Sequence, residues 1–266
     1  MHYDVVQLNV WRMPFLETFF PEYLVLAIAA FCVGLSKGGL PGVGMIGVPL
    51  LALSMSPIKA AALLLPIFIL SDVVAVYLYR HHFDKTNLRT LIPAGILGVG
   101  IGWLTASVVS DTVVTLMIGL LGVGFCLNVW LRKHAEIEAK APDVLKGWFW
   151  GTLSGFTSFV AHAGAPPYQI YTLPQKMPRL VFAGTTTLLF GCVNIAKVIP
   201  YSMIEPFTSS MVKTSLQFLP VALLGTLVGK YGVQMLSDRW FYRLVQIALF
   251  AICVQLIVRS VPNLLG

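Results

Sequence analysis

Two lysines stand inside runs of residues that are otherwise apolar. The first lies in Gly34-Leu35-Ser36-Lys37-Gly38-Gly39-Leu40-Pro41-Gly42-Val43-Gly44, one ammonium among five glycines. An ammonium held at the centre of a bilayer costs about 2.5–3.5 kcal/mol on the insertion scale, so it needs a partner or a task. Glycines let backbone N–H groups come close to a ligand, and a helix beginning near Pro41 would turn its positive dipole end to the same place. Ser36, Lys37, Gly38, Gly39 and Gly42 therefore read as contacts for a small anion. The competing reading has Lys37 snorkelling to an interface or pairing with Asp72.

A second constellation follows in Gly155-Phe156-Thr157-Ser158-Phe159-Val160-Ala161-His162-Ala163-Gly164-Ala165-Pro166-Pro167-Tyr168-Gln169. Hydroxyls and an imidazole replace the lysine here. Thr157, Ser158, His162 and Gln169 can donate to oxyanion oxygens, and His162 can also carry a proton. Alternatively the hydroxyls bond to nearby helix carbonyls and His162 is a satisfied core residue. Asn194 and Lys197 lie three apart on one helix face, beyond Thr185, Thr186 and Thr187. Lys197 is either a second cation for the same anion or a residue snorkelling near Pro200. Asp72 is the one acid inside a clear apolar span, and it reads as an ion-pair partner for Lys37 or as a proton relay.

The chain that must position these groups is 266 residues long, 57% hydrophobic and 11% charged, with a mean hydropathy of +0.82. Globular domains carry roughly 25% charged residues, so a soluble domain and a disordered chain are both excluded. The 18 Lys and Arg outnumber 11 acids for a net charge of +7, but they cluster in short stretches between apolar blocks. That is the pattern of membrane loops and leaves no basic stripe for nucleic acid. Cys32, Cys126, Cys192 and Cys253 are isolated in apolar segments, without metal-ligand spacing. His81-His82 sits in a cationic loop and reads as solvated. No phosphate-binding, dinucleotide, nucleophile-elbow or zinc-protease motif is present, so no cofactor and no ATP-driven or hydrolytic chemistry is expected.

About 20 apolar residues are needed to cross a bilayer. Six blocks qualify, at 58–80, 88–108, 111–131, 178–201, 210–232 and 236–258, while 21–55 and 146–175 are apolar but broken by Gly and Pro. The chain matches itself in two registers. Gly34-Leu35-Ser36 corresponds to Gly155-Phe156-Thr157 at an offset of 121 residues, and Gly98/Gly102 to Gly225/Gly229 at an offset of 127. Two halves are therefore expected, each a broken helical hairpin plus three transmembrane helices. Inverted halves place 12 cations on one face against 4 on the other, whereas parallel halves give 10 against 6, so inversion obeys the positive-inside rule better. A turn at membrane depth is tolerated only where it is buried in protein or lines a cavity, and such broken segments at matching places in two halves point to a transporter's binding site. The small-residue pairs Gly98/Gly102, Gly225/Gly229 and Gly151/Gly155 read as helix-packing positions. Asp111 and Asp238 follow serines at helix starts and read as caps.

The glycine hairpin with Val48-Pro49-Leu50 and Ser56-Pro57, together with its counterpart Gly155 to Pro167, resembles the TauE/SafE sulfite exporter family over about Leu24 to Arg259. The resemblance implies a permease that moves sulfite, sulfoacetate or related organosulfonates without ATP. It transfers Lys37, Gly38, Gly39, Gly42, His162 and Gly164 as site positions. The second hairpin departs from the family's glycine-rich pattern at Phe159-Val160-Ala161-His162.

The expectations are then an all-α integral membrane protein of two inverted repeats. Residues 1–20 form an interfacial lead-in, 21–131 the first membrane repeat, 132–146 a charged cytoplasmic linker and 147–266 the second repeat. The expected function is secondary transport of a small sulfur oxyanion by alternating access, in a bacterial cytoplasmic membrane, with a passive anion channel or an intramembrane enzyme as alternatives. Expected partners are the anion and the lipid bilayer, with a homodimer left open and nucleic acid excluded.

Overall fold

The computed structural model describes residues 22–40, 42–106, 110–131, 139–235 and 238–265. The lead-in over residues 1–20 lies outside the described residues, as do residues 132–138 of the linker. Every regular element among the described residues is helical: α1 Glu22–Lys37, α2 Gly47–Leu51, α3 Pro57–Tyr79, α4 Lys85–Ala106, α5 Asp111–Leu131, α6 Val144–Ala161, α7 Ala165–Thr172, α8 Arg179–Ala196, α9 Val198–Ile204, α10 Ser209–Met235 and α11 Asp238–Leu265. Short 3-10 turns at Val43–Ile46 and Leu173–Gln175 precede α2 and follow α7.

Five stretches are long and apolar enough to cross a membrane: Pro57–Tyr79, Lys85–Ala106, Thr112–Leu131, Leu180–Ile204 and Ser209–Tyr231. Their outward faces carry large apolar side chains such as Val73, Leu104, Leu131 and Ile199. A water-facing surface of that kind would drive aggregation, whereas lipid is its natural solvent. The chain is a multi-pass membrane protein.

Helix starts are fixed by short polar side chains that accept the first free backbone N–H groups. Ser56 accepts from Lys59 N at 3.5 Å, Asp84 from Asn87 N at 2.7 Å, Asp143 from Lys146 N at 3.1 Å and Thr208 from Met211 N at 3.2 Å. At α5 the cap is Ser110, whose hydroxyl accepts from Val113 N at 3.4 Å, and Asp111 is the first helical residue rather than the cap. One expected span is interrupted: the block 178–201 divides at Lys197 into α8 and α9. Pro200 has no N–H to bond the carbonyl four residues back, so the ladder loses a rung at this junction.

Both broken regions are hairpins. After α1 the chain turns through Gly39 and Gly42, at φ 115° and 103°, values that favour glycine. It then runs back, with Gly44 against Ser36 and Gly47 against Ala29 and Val33. After α6 it turns at His162 and returns with Gly164 against Ser154 and Ser158, until the Tyr171 hydroxyl donates to the Asp143 carbonyl at 3.1 Å beside the start of α6.

The helices pair across the two halves of the sequence. α1 packs on α10 and α6 on α4, while α3 packs on α8 and α5 on α11. The close approaches in the first two pairs fall in the same register. A methyl group on Gly34 would lie 1.9 Å from the Ala222 carbonyl oxygen, and one on Gly155 would lie 1.9 Å from that of Gly95. Likewise Gly225 meets the Phe31 carbonyl where Gly98 meets that of Thr152. Each contact maps onto its counterpart through the offsets 121 and 127 read from the sequence. Small residues here let two backbones touch, which in lipid is a main source of helix association.

Candidate functional site

The two hairpin turns come together around a cavity of about 50 Å³. A buried water needs roughly 10–15 Å³ on this measure, so the cavity holds an occupant of a few heavy atoms. Its walls come from α1 and the first turn (Ser36, Lys37, Gly42, Gly44), from the second hairpin (Ser158, His162, Ala165) and from α8 (Thr186, Thr187, Asn194). Phe68 of α3 closes one side.

Lys37 is the last residue of α1, where the helix dipole favours a cation. Its ammonium donates to Asp72 Oδ1 on α3 and lies 5.3 Å from the centroid of the Phe68 ring. Asp72 Oδ2 accepts from Asn194 Nδ2 at 2.6 Å. One carboxylate thus holds a cation from the first half and an amide from the second. Lys37 and Asp72 are both almost excluded from solvent.

Lys197 forms a second cluster. Its Nζ donates to the Ser158 carbonyl at 2.9 Å and lies 2.8 Å from His162 Nδ1. The other ring nitrogen, Nε2, is 2.9 Å from the Ala61 carbonyl, which can only accept, so Nε2 carries the proton and Nδ1 receives a Lys197 N–H. Because Nζ and Nδ1 cannot both point protons at each other, the pair carries at most one positive charge. Among the described residues Lys197 has no carboxylate within ion-pair reach, although it is wholly buried. With Lys37 and Asp72 cancelling, the cluster keeps a capacity for one net positive charge beside the cavity.

His162 reaches this position through an unusual backbone. It caps α6 in the left-handed conformation, φ 51°, with its N–H on the Ser158 carbonyl and the next N–H on Thr157. That conformation costs a non-glycine residue about 1–2 kcal/mol, and strain of this kind gathers at functional sites. The ring stacks on Phe68 with centroids 4.4 Å apart. Tyr201 of α9 donates to the Phe159 carbonyl and stacks on the Phe159 ring at 5.0 Å, which pins α9 to α6.

The sequence-derived positions separate into three groups. Ser36, Lys37, Gly42, Ser158, His162 and Asn194 line the cavity. Asp72 and Lys197 stand directly behind them, bonded to lining residues. Gly38, Gly39, Thr157, Gly164 and Gln169 are outside the lining. Gly38 faces the backbone of α10 at Thr226 and Gly229, Gly39 makes the turn, and Thr157 donates to the Leu153 carbonyl at 2.9 Å. Gly164 packs under Phe190 while its carbonyl accepts from Ser154 at 2.7 Å, and Gln169 lies half-buried in α7.

Phe68 and the Ala61 carbonyl were not among the positions read from the sequence, and Thr187 was noted only as lying on the same helix as Asn194. Phe68 sits four residues before Asp72, one helical turn away, and that spacing was the signal available. The hydroxyls of Ser36, Ser158 and Thr187 make no hydrogen bond within the described residues. Gly42 and Ala165 begin the two return segments at the cavity wall, and neither start is capped by a side chain. Such starts, with free hydroxyls and buried cations, suit an oxyanion.

No curated protein and no solved structure matches the chain. The model of the Sulfite exporter TauE/SafE family matches residues 26–256, which includes both hairpin turns and every residue of the cavity wall. The chain belongs to the sulfite exporter TauE/SafE family.

Proposed function

We propose that this protein is a secondary transporter of a small sulfur oxyanion, sulfite or a short organosulfonate such as sulfoacetate. The observation that carries the reading is the cavity itself: about 50 Å³, set between two hairpin turns and backed by Lys37 and Lys197. An anion seated there takes hydrogen bonds from Ser36, Ser158, Asn194 and the Ala165 N–H at the start of α7, and charge from Lys37. Gly38, Gly39 and Gly164 let the hairpins pack closely enough to bring those donors together. Thr157 and Gln169 contribute from the second hairpin as it moves.

Alternating access follows from two inverted repeats, in which each hairpin is clasped by a helix of the other half: α1 by α10 and α6 by α4. Sliding of one hairpin along its clasp opens the cavity to one side of the membrane, and the corresponding motion of the other opens it to the opposite side. A thermal-shift panel of sulfite, sulfate, thiosulfate and organosulfonates on the purified protein tests the substrate class. Sulfite or a small sulfonate is expected to stabilise the protein by mass action, and stabilisation by none of the panel contradicts the reading.

A further inference from the structure

Asp72 is absent from the cavity wall, yet both of the donors it holds are on that wall. Its Oδ1 takes Lys37 and its Oδ2 takes Asn194 at 2.6 Å. Two oxygens of one anionic group, gripped by an ammonium and an amide, form the arrangement that an incoming oxyanion would require of the same two donors. We propose that Asp72 is an internal surrogate for the anion that exchanges a proton with it: the carboxylate holds Lys37 and Asn194 in the empty site, and takes up one proton when the ligand replaces it. The inference rests on the cavity being the anion site.

The driving force is desolvation. Asp72 is 4% exposed, and a carboxylate stripped of both donors there is an uncompensated buried charge, which is strongly disfavoured. A proton removes that charge. It comes from the aqueous phase to which the site is open, forms the O–H bond as Lys37 passes to the ligand, and leaves when the departing ligand returns Lys37 to the carboxylate. Proton and anion are therefore bound in the same state and cross in the same direction.

The titratable groups brought toward Asp72 by the elements packed on α3 are few. α1 supplies Lys37, α6 supplies His162, and α8 supplies Lys197 and Cys192. α2 contributes none, α5 has Cys126, which donates to the Gln246 carbonyl, and α10 has the exposed Lys213 and Lys230 near its ends. Among the described side chains of these helices, Asp72 is the one carboxylate. The Lys197 and His162 pair carries at most one positive charge and is present unchanged in an Asp72 variant.

The test uses sulfite as probe on the purified full chain. Calorimetric Kd values are measured across pH for the native protein and Asp72→Asn, and the sulfite-induced infrared difference spectrum is recorded for the native protein with and without isotope-labelled aspartate. The pH dependence of Kd should differ between the two proteins by up to about tenfold per pH unit, the slope of one linked proton. Sulfite should also raise a protonated-carboxyl band that shifts with the aspartate label, a readout that does not depend on the variant folding. Identical pH slopes, or sulfite binding without that band, would overturn the proton exchange while leaving the anion site intact. Absence of any sulfite heat from the native protein would instead overturn the anion-site reading, and the exchange with it.

Discussion

Lys197 Nζ lies 2.8 Å from His162 Nδ1, and the opposite nitrogen of that ring is fixed on the Ala61 carbonyl. The imidazole is therefore held at both ends, and the charge of a lysine that does not itself line the cavity is carried to the wall. Lys197→Met keeps the length of the side chain and removes the charge. Among the described residues Lys197 has no carboxylate partner, so its removal leaves no opposite charge uncompensated, and this variant is expected to fold. Its sulfite affinity should fall at least tenfold, about 1.4 kcal/mol, by calorimetry. Unchanged affinity would mean that the pair serves only to hold α8 against the second hairpin.

The glycine pairs offer a test of the packing register. Alanine at Gly34 or Gly155 would place a methyl group 1.9 Å from a backbone oxygen, and nothing flexible can yield there. Neither variant should give folded protein in detergent. Gly100 and Gly124 have open space around them, and alanine there should add about 0.5–1 kcal/mol of stability through helix propensity. A tolerant Gly155→Ala protein would contradict the close contact of α6 with α4.

Ser71 precedes Asp72 on α3, and among the described residues its hydroxyl is the one fully buried side-chain polar atom without a hydrogen-bond partner. Burying an unsatisfied hydroxyl is costly, so Ser71→Ala should raise stability by about 1 kcal/mol, read as a higher Tm, and leave anion affinity unchanged. A loss of stability would show that the hydroxyl has an occupant, such as water.

At the start of α6 the Lys146 backbone N–H, aided by the Lys146 side chain, holds the Asp143 carboxyl below the usual carboxylate range. Its folded-state value is lower than its unfolded one, so the cap's contribution is present above the unfolded value and is lost as pH falls through the folded one. Asp143→Asn keeps the cap and removes the titration. The native protein should therefore lose stability in acid more steeply than the variant, measured as Tm against pH. Parallel curves would contradict this.

The spans were legible because lipid demands long apolar runs: α3, α4, α5 and α10 lie within three residues of the blocks read from hydropathy. The hairpins were legible because Gly and Pro interrupt such runs at matching places. The block 178–201 falls within the single crossing stretch Leu180–Ile204, but the helix break inside it at Lys197 was not legible, because it depends on a single proline whose effect hydropathy does not register. Boundaries set by capping were also displaced, and α6 begins at Val144, inside the expected linker.

At the site, Lys37, Asp72, Asn194 and Lys197 were identifiable because charge and amide are costly in an apolar span. Their partnerships were only half visible. Lys37 with Asp72 joins α1 to α3 across 35 residues of the first half, while the bond from Asn194 to Asp72 crosses 122 residues and depends on how α3 and α8 meet. The Ala61 carbonyl was invisible, because any backbone carbonyl looks alike in sequence. Gly38 and Gly164 were expected at the site from the glycine-rich motif, and in the structure their lack of a side chain serves contact with α10 and Phe190.

The central claim is that an oxyanion binds between the hairpin turns and is held there by Lys37. Calorimetric titration of sulfite into the native protein and into Lys37→Ala, with folding checked by size-exclusion profile and Tm, tests it most directly. The account predicts saturable binding to the native protein and at least a tenfold weaker Kd in the variant, about 1.4 kcal/mol. Equal affinity in a folded Lys37→Ala protein would contradict it.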